Sequence, residues 1–226
     1  MKNLFSKCGI LLSSEKVEKF NKFFDLLIEY NKKFNLTSIL EREEVIIKHF
    51  IDSAIGINYI KGNKILDVGA GGGFPSIPLK IMNEDLDFTL LEATGKKCEF
   101  LKIVGKELNF NNFTVINKRA EDLAKIEGVR ESFDCVVSRA VARLNTLSEY
   151  CIPFVKKGGL FLAYKGSNTE EIEEANKAIK ILGGSIKSVE NYSIFDQTRN
   201  LVLIEKISLT DKKYPRGNGK ERKNPL

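Results

Sequence analysis

The chain has one histidine, His49, in 226 residues. A single imidazole leaves no Ser-His-Asp machinery beyond what one ring can serve, and no multi-histidine metal site. Four cysteines, Cys8, Cys98, Cys135 and Cys151, are scattered without a C-x-x-C pair, so neither zinc binding nor a disulfide framework is expected. They read as reduced cytosolic thiols. No apolar run approaches the roughly 18 residues of a membrane span. The apolar stretch Cys8 to Leu12, which follows Lys2 and Lys7, ends at Ser13-Ser14-Glu15-Lys16 and is too short for a signal peptide. The expectation is a cytoplasmic, monomeric protein with no metal and no membrane contact.

What is present is the composition of a soluble globular protein, 42% hydrophobic and 29% charged, at a length for one α/β domain plus an extension. The net charge of +6 is unevenly placed. Between Asp211 and Leu226 six cations (Lys212, Lys213, Arg216, Lys220, Arg222, Lys223) face Asp211 and Glu221, which puts +4 of the +6 in that segment. With few apolar residues, 211–226 reads as a basic tail, either a solvated end or an arm that finds phosphates.

The most informative stretch runs from Ile65 to Pro75: Ile65, Leu66 and Val68 form a short apolar strand that opens into Gly69-Ala70-Gly71-Gly72-Gly73-Phe74. Glycine there lets backbone approach a ligand or adopt positive φ. Ser76 is expected as the N-cap of the following helix, with Pro78 in its first turn. A dinucleotide and S-adenosylmethionine both use such a turn. The dinucleotide fingerprint wants a third glycine, where this chain has Phe74; S-adenosylmethionine has no pyrophosphate, and an aromatic ring can pack against it. Both want an acid ending the second strand, and Glu92 supplies it for the ribose hydroxyls. Gly69, Gly71, Phe74 and Glu92 are therefore the first cofactor candidates. A tight turn in an unrelated α/β protein is the bland alternative.

Apolar residues at helical spacing predict a helix from Val17 to Phe34 and a second from about Glu41 to Ile55, together a helical cap over residues 1–60. Strand and helix then alternate: strands at 65–68, 88–91, 113–117, 133–138 and 160–164, and helices at 77–82, 96–108, 144–155 and 170–182. Two β-rich stretches, 185–194 and 200–207, close the sequence as a hairpin-like pair. The expected fold is α/β: a doubly wound, methyltransferase-type (Rossmann-like), mostly parallel sheet over residues 61–210, with the N-terminal helical cap.

Reacting groups in such sheets sit after the fourth strand, where this chain has Ser138-Arg139-Ala140-Val141. The Asn/Asp-Pro-Pro-aromatic motif of amine methylation is absent. So is a Pro-Cys nucleophile, since Cys135 follows Asp134 and Cys151 follows Tyr150. Guanine N7 suits a site with neither, because it has an in-plane lone pair and no proton to remove, so positioning is most of the catalysis. An arginine nearby must then avoid the bidentate grip on O6 and N7, which would cover the nucleophile.

Asn35-Leu36-Thr37-Ser38, His49-Phe50-Ile51-Asp52-Ser53, Leu66 to Pro75, Ser138-Arg139-Ala140 and Tyr164-Lys165-Gly166 occur together and in this order. In this the chain resembles the RsmG family, also called GidB, over nearly its whole length. The resemblance implies S-adenosylmethionine-dependent N7 methylation of a guanine in 16S ribosomal RNA, with the RNA or a small-subunit precursor as partner. It implies cofactor contacts at Gly69, Phe74, Ala120, Glu121 and Arg139, with Ala120-Glu121 at the adenine edge, and gives Arg139 the catalytic position. Glu92 stands where the family more often has Asp. Arg143, Lys165, Arg199 and Arg216 are the RNA-binding candidates. His49 and Asp52, one helical turn apart, are expected either to bond one another and dock the cap or to act at the guanine. Two rival functions are a small-molecule methyltransferase and a non-catalytic RNA-binding factor on a methyltransferase fold.

Overall fold

The computed structural model describes residues 1–139 and 141–226. Its centre is a seven-stranded sheet of order β3-β2-β1-β4-β5-β7-β6. The strands β1 (Lys64–Val68), β2 (Asp87–Glu92), β3 (Phe113–Asn117), β4 (Phe133–Arg139) and β5 (Val155–Lys165) are parallel to one another, and β7 (Gln197–Lys206) runs antiparallel to β5 and to β6 (Gly184–Ile194) at the sheet's end. Strand order reverses at β1, between β2 and β4, so the carboxyl end of β1 is the topological switch point where such sheets bind ligands.

Residues 65–68 of β1 are all buried because both faces of the sheet are covered. Alternation along the strand divides them between two cores. Ile65 joins Phe20, Phe23, Leu27 and Phe50 of the N-terminal cap on one face, and Leu66 and Val68 join Val136, Leu147 and Phe161 on the other. Residues 1–60 thus share a core with the sheet. The long cap helix α2 (Ser14–Phe34), which follows α1 (Lys2–Lys7), is capped by Ser13, whose hydroxyl accepts from Lys16 N at 3.2 Å; it ends at Asn35 in the left-handed region. Burial of Phe20, Phe23 and Leu27 contributes about 1.5 to 3 kcal/mol each.

The second cap segment differs from the single helix expected over 41–55. It runs as α3 (Arg42–Val45), a widened π turn at Ile46–Ile51, α4 (Asp52–Ala54) and a 3₁₀ turn at Ile55–Tyr59. In the π turn the Asp52 N–H reaches back to Ile47 O, which leaves Lys48 O to accept from Arg139 Nη1 at 2.9 Å. Such turns mark places where a side chain is inserted into the helix ladder.

On the sheet faces lie α5 (Ser76–Met82), α6 (Gly95–Glu107), α7 (Ala120–Leu123), α8 (Leu144–Cys151) and α9 (Glu170–Ile181). Pro75, not Ser76, is the N-cap of α5; Ser76 is its first residue and its hydroxyl is buried. Gly158-Gly159, expected before the fifth strand, lies inside β5, where the register to β4 shifts. A Cβ on Gly159 would stand 2.6 Å from Asp134 O, so the two backbones meet there only because the residue is glycine.

The basic segment 211–226 is not a free arm, which corrects the tail expected from its charge. Tyr214 and Glu221 are buried, and α10 (Lys220–Lys223) lies against α8. Arg130 donates to Tyr214 O at 2.6 Å, Thr146 Oγ1 to Glu221 O at 3.0 Å and Tyr150 Oη to Glu221 Oε1 at 2.8 Å. Specific polar contacts, and one aromatic ring, hold a segment whose apolar content is too low to announce burial.

Among the described residues no helix is long and apolar enough to cross a membrane, and no group of three or more His, Cys, Asp or Glu could hold a metal. The four cysteines are unpaired, and three of them are buried.

Candidate active site

A cavity of about 510 Å³ opens at the carboxyl ends of β1, β2 and β4. The expected cofactor residues Gly69, Gly71, Phe74, Glu92, Ala120, Glu121 and Arg139 all line it. Ala140 lies outside the described residues. A cavity of this size, concave and at a switch point, suits a small cofactor.

The glycine turn builds one wall. Gly69 N and Ala70 N both donate to Leu91 O, at 2.8 and 3.2 Å, which ties the turn to β2. Gly71 has φ +56°, and a Cβ there would meet only Gly69 O, at 3.8 Å. The space beside Gly71 is thus open to a ligand rather than filled by protein. Glu92 at the end of β2 accepts from Gly71 N at 3.0 Å and from Thr94 N at 2.7 Å. Its carboxylate is fixed against the turn and lines the cavity.

Phe74 joins the turn to the cap. Its ring centroid lies 4.5 Å from His49, 5.5 Å from Phe23 and 6.2 Å from Phe50, and the Arg139 guanidinium carbon stands 5.0 Å from it. The third position of the glycine motif therefore holds a ring that seats the cap on the site.

Arg139, the last residue of β4, is the hub of a polar chain. Nη1 donates to Asp52 Oδ2 at 2.8 Å, and Nη2 to His49 Nδ1 at 3.0 Å. His49 Nδ1 also lies 3.1 Å from Lys48 O, and Nε2 lies 2.8 Å from Thr37 Oγ1. Asn31 Oδ1 in turn accepts from Leu36 N and Thr37 N, at 2.6 and 2.8 Å, and so sets the loop after α2. Asp52 Oδ1 accepts from Tyr192 of β6 at 2.9 Å. One reading of their spacing expected His49 and Asp52 to bond one another; instead each bonds Arg139. Burial, with the Arg139 charge adding to it, lowers the His49 pKa to about 3, so the imidazole is neutral at pH 7. Asp67, wholly buried on β1 and outside the cavity lining, is pushed up to about 7 by burial against the opposing pull of Ser76 and Arg139. It stands beside Ser76, yet neither side chain makes a hydrogen bond of ordinary geometry among the described residues.

The four RNA-binding candidates divide. Arg143 and Arg199 are on the surface: Arg143 pairs with exposed Glu174, and Arg199 bonds Gln197 and Thr198 O. Lys165 and Arg216 are corrected. Lys165 is buried against Glu171 and donates to Ala142 O at 2.8 Å. Arg216 clasps the Glu149 carboxylate through Nε and Nη2, at 2.9 and 2.7 Å, and Glu149 is itself buried. Each neutralises an inward-facing acid, so neither is a free cation. Leu36 and Thr37, from the first of the quoted motifs, also line the cavity, as do Tyr150 and Arg222; none of the four was assigned a site role from sequence. Tyr150 and Arg222 come from α8 and the terminal segment, with no motif to mark them.

Residues 16–202 match the family GidB, described as rRNA small subunit methyltransferase G. A ribosomal RNA small subunit methyltransferase G of Desulfitobacterium hafniense is 44% identical over 223 residues, covering 97% of this chain and 93% of that one. Another of the same name from Brevibacillus brevis is 46% identical over 224 residues, covering 96% and 94%. Among solved structures, TYW2 of M. jannaschii in complex with AdoMet gives a TM-score of 0.57 over 75% of this chain and 80% of that one, at 17% identity, a likeness of fold alone.

Proposed function

The chain belongs to the GidB family of small-subunit ribosomal RNA methyltransferases, and from that premise we propose that the cavity at its switch point is where S-adenosylmethionine and one guanine of 16S ribosomal RNA meet. It is an S-adenosylmethionine-dependent enzyme that methylates guanine at N7. When bound, the cofactor would supply an electrophilic sulfonium methyl, the chemistry that a neutral N7 lone pair can meet without loss of a proton.

The observation that carries the residue assignment is the state of Arg139. Its charge is matched by Asp52 and its second amino group is held by His49, so it lines the cavity without presenting an unbalanced cation to a sulfonium. Its Nη1 and Nη2 are engaged inward, and it therefore does not make the bidentate grip that would cover N7. No general base is needed, and the one histidine is neutral and held between Arg139 and Thr37. Gly69, Gly71 and Glu92 hold the nucleoside, Phe74 and Arg139 shape the methyl-transfer end, and Ala120 and Glu121 read the adenine edge. Arg143 and Arg199 are the phosphate contacts. The protein works as a monomer in the cytoplasm.

The test is transfer of radiolabelled methyl from S-adenosylmethionine to small ribosomal subunits that lack the modification. The purified protein transfers label to 16S RNA, and Arg139→Ala loses at least a hundredfold in rate while remaining folded. Label reaching only small-molecule acceptors, or none reaching RNA, would overturn the reading.

A further inference from the structure

We propose that the C-terminal segment completes the cofactor site, with Arg222 laid against the adenine ring as the outer wall of the cavity. The proposal rests on the reading of this cavity as the S-adenosylmethionine site. Arg222 lines the cavity, although it lies 83 residues beyond Arg139, the last core residue assigned to it. It arrives on α10, one residue after Glu221, whose carboxylate is buried and accepts from Tyr150. Tyr150 lines the same cavity. Further back, the Arg216–Glu149 pair fixes the loop that carries Gly217, and a Cβ on Gly217 would lie 3.5 Å from Glu121 Cγ. The segment is therefore anchored at two points ahead of Arg222 and borders the wall formed by Glu121.

That wall belongs to the nucleobase. Glu92, at the end of β2, marks the ribose position, and Glu121, beyond β3, lies one strand further from the methyl-transfer end at β4. Among the described residues Arg222 has no carboxylate within ion-pair distance. Its guanidinium, planar and weakly hydrated, is suited to stack on an aromatic base. A neighbouring cavity of about 440 Å³ shares Arg119, Glu121, Tyr150 and Arg222 with the first, so Arg222 stands at the border of the two.

The test is calorimetry of S-adenosylmethionine and of methylthioadenosine, which keeps the nucleoside and lacks the amino-acid end. Arg222→Ala weakens both ligands by about tenfold, the size of a cation–aromatic contact with a bound base. Arg222→Lys, which keeps charge but not the plane, recovers little. Lys223→Ala, one residue on and outside both cavities, binds as wild type, and all three variants melt with it. Wild-type affinity for both ligands in Arg222→Ala would overturn the proposal, as would a loss confined to S-adenosylmethionine, which would put Arg222 at the amino-acid end. A wild-type protein that fails to bind S-adenosylmethionine would instead overturn the cofactor reading itself.

Discussion

Asp52 Oδ2 and Arg139 Nη1 lie 2.8 Å apart, with the two side chains 7% and 12% exposed. The pair joins the helical cap to the last residue of β4, and the same guanidinium binds His49. Removing one partner of a buried pair leaves the other charge without compensation. Asp52→Ala is therefore expected to lose about 3 to 5 kcal/mol of unfolding free energy in denaturant titrations, and Asp52→Asn clearly less. Both weaken S-adenosylmethionine, because Arg139 then faces a sulfonium with its charge unbalanced. A variant with wild-type stability and affinity would show that the pair is incidental.

Gly71→Val is expected to abolish cofactor binding, by at least a hundredfold in calorimetry. The branched side chain would occupy open cavity space at a φ of +56°. The backbone conformation costs about 1 to 2 kcal/mol for such a residue, so the variant stays folded. Retained affinity would move the cofactor elsewhere.

The glycine turn, the strand succession and the antiparallel pair at the sheet edge were legible because each is written locally, in apolar periodicity or in glycine spacing. The hub at Arg139 was not. Its partners His49 and Asp52 stand in the cap, Asp52 is bonded in turn by Tyr192 of β6, and no spacing rule links these residues to Arg139. The π turn was hidden as well, since Ile46 to Ile51 carry ordinary helical spacing and the widening serves Lys48 O. The terminal segment misled for a different reason. Its charge is real, but Arg216 is spent on Glu149 and Glu221 is buried, and pairwise contacts of that kind leave no trace in composition.

His49 and Asp67 give opposite pH dependences of stability. The His49 pKa is lowered from 6.5 to about 3, so the unfolded chain takes up the proton first as pH falls. Its contribution is present above pH 6.5 and is lost toward pH 3, by about 2 kcal/mol at pH 5. The Asp67 pKa is raised from 3.8 to about 7, so the unfolded chain releases its proton first, and the contribution of Asp67 fades as pH rises through that window. Denaturant midpoints between pH 5 and pH 8 should fall less on acidification in His49→Gln, and more in Asp67→Asn, than in wild type. Parallel curves for all three would contradict these assignments. Single-turnover methyl transfer should stay flat from pH 6.5 to 8.5, in wild type and in His49→Gln alike, because N7 has no proton to lose.

Arg143→Ala and Arg199→Ala should each reduce the slope of log affinity for 16S RNA against log salt by about 0.7 to 0.9, one phosphate contact apiece. Arg216→Ala should leave the slope unchanged and instead lose about 3 kcal/mol of stability, since it strands the buried Glu149 carboxylate. The reverse pattern would restore the terminal segment as an RNA arm.

The most direct measurement is mass spectrometry of nucleosides from 16S RNA methylated by the purified protein with S-adenosylmethionine carrying a trideuterated methyl group. The deuterated methyl is expected in 7-methylguanosine alone, at one site, and to disappear with Arg139→Ala and Gly71→Val. Label in an exocyclic-amine or carbon-methylated nucleoside, or 7-methylguanosine formed equally well by both variants, would contradict the site described above.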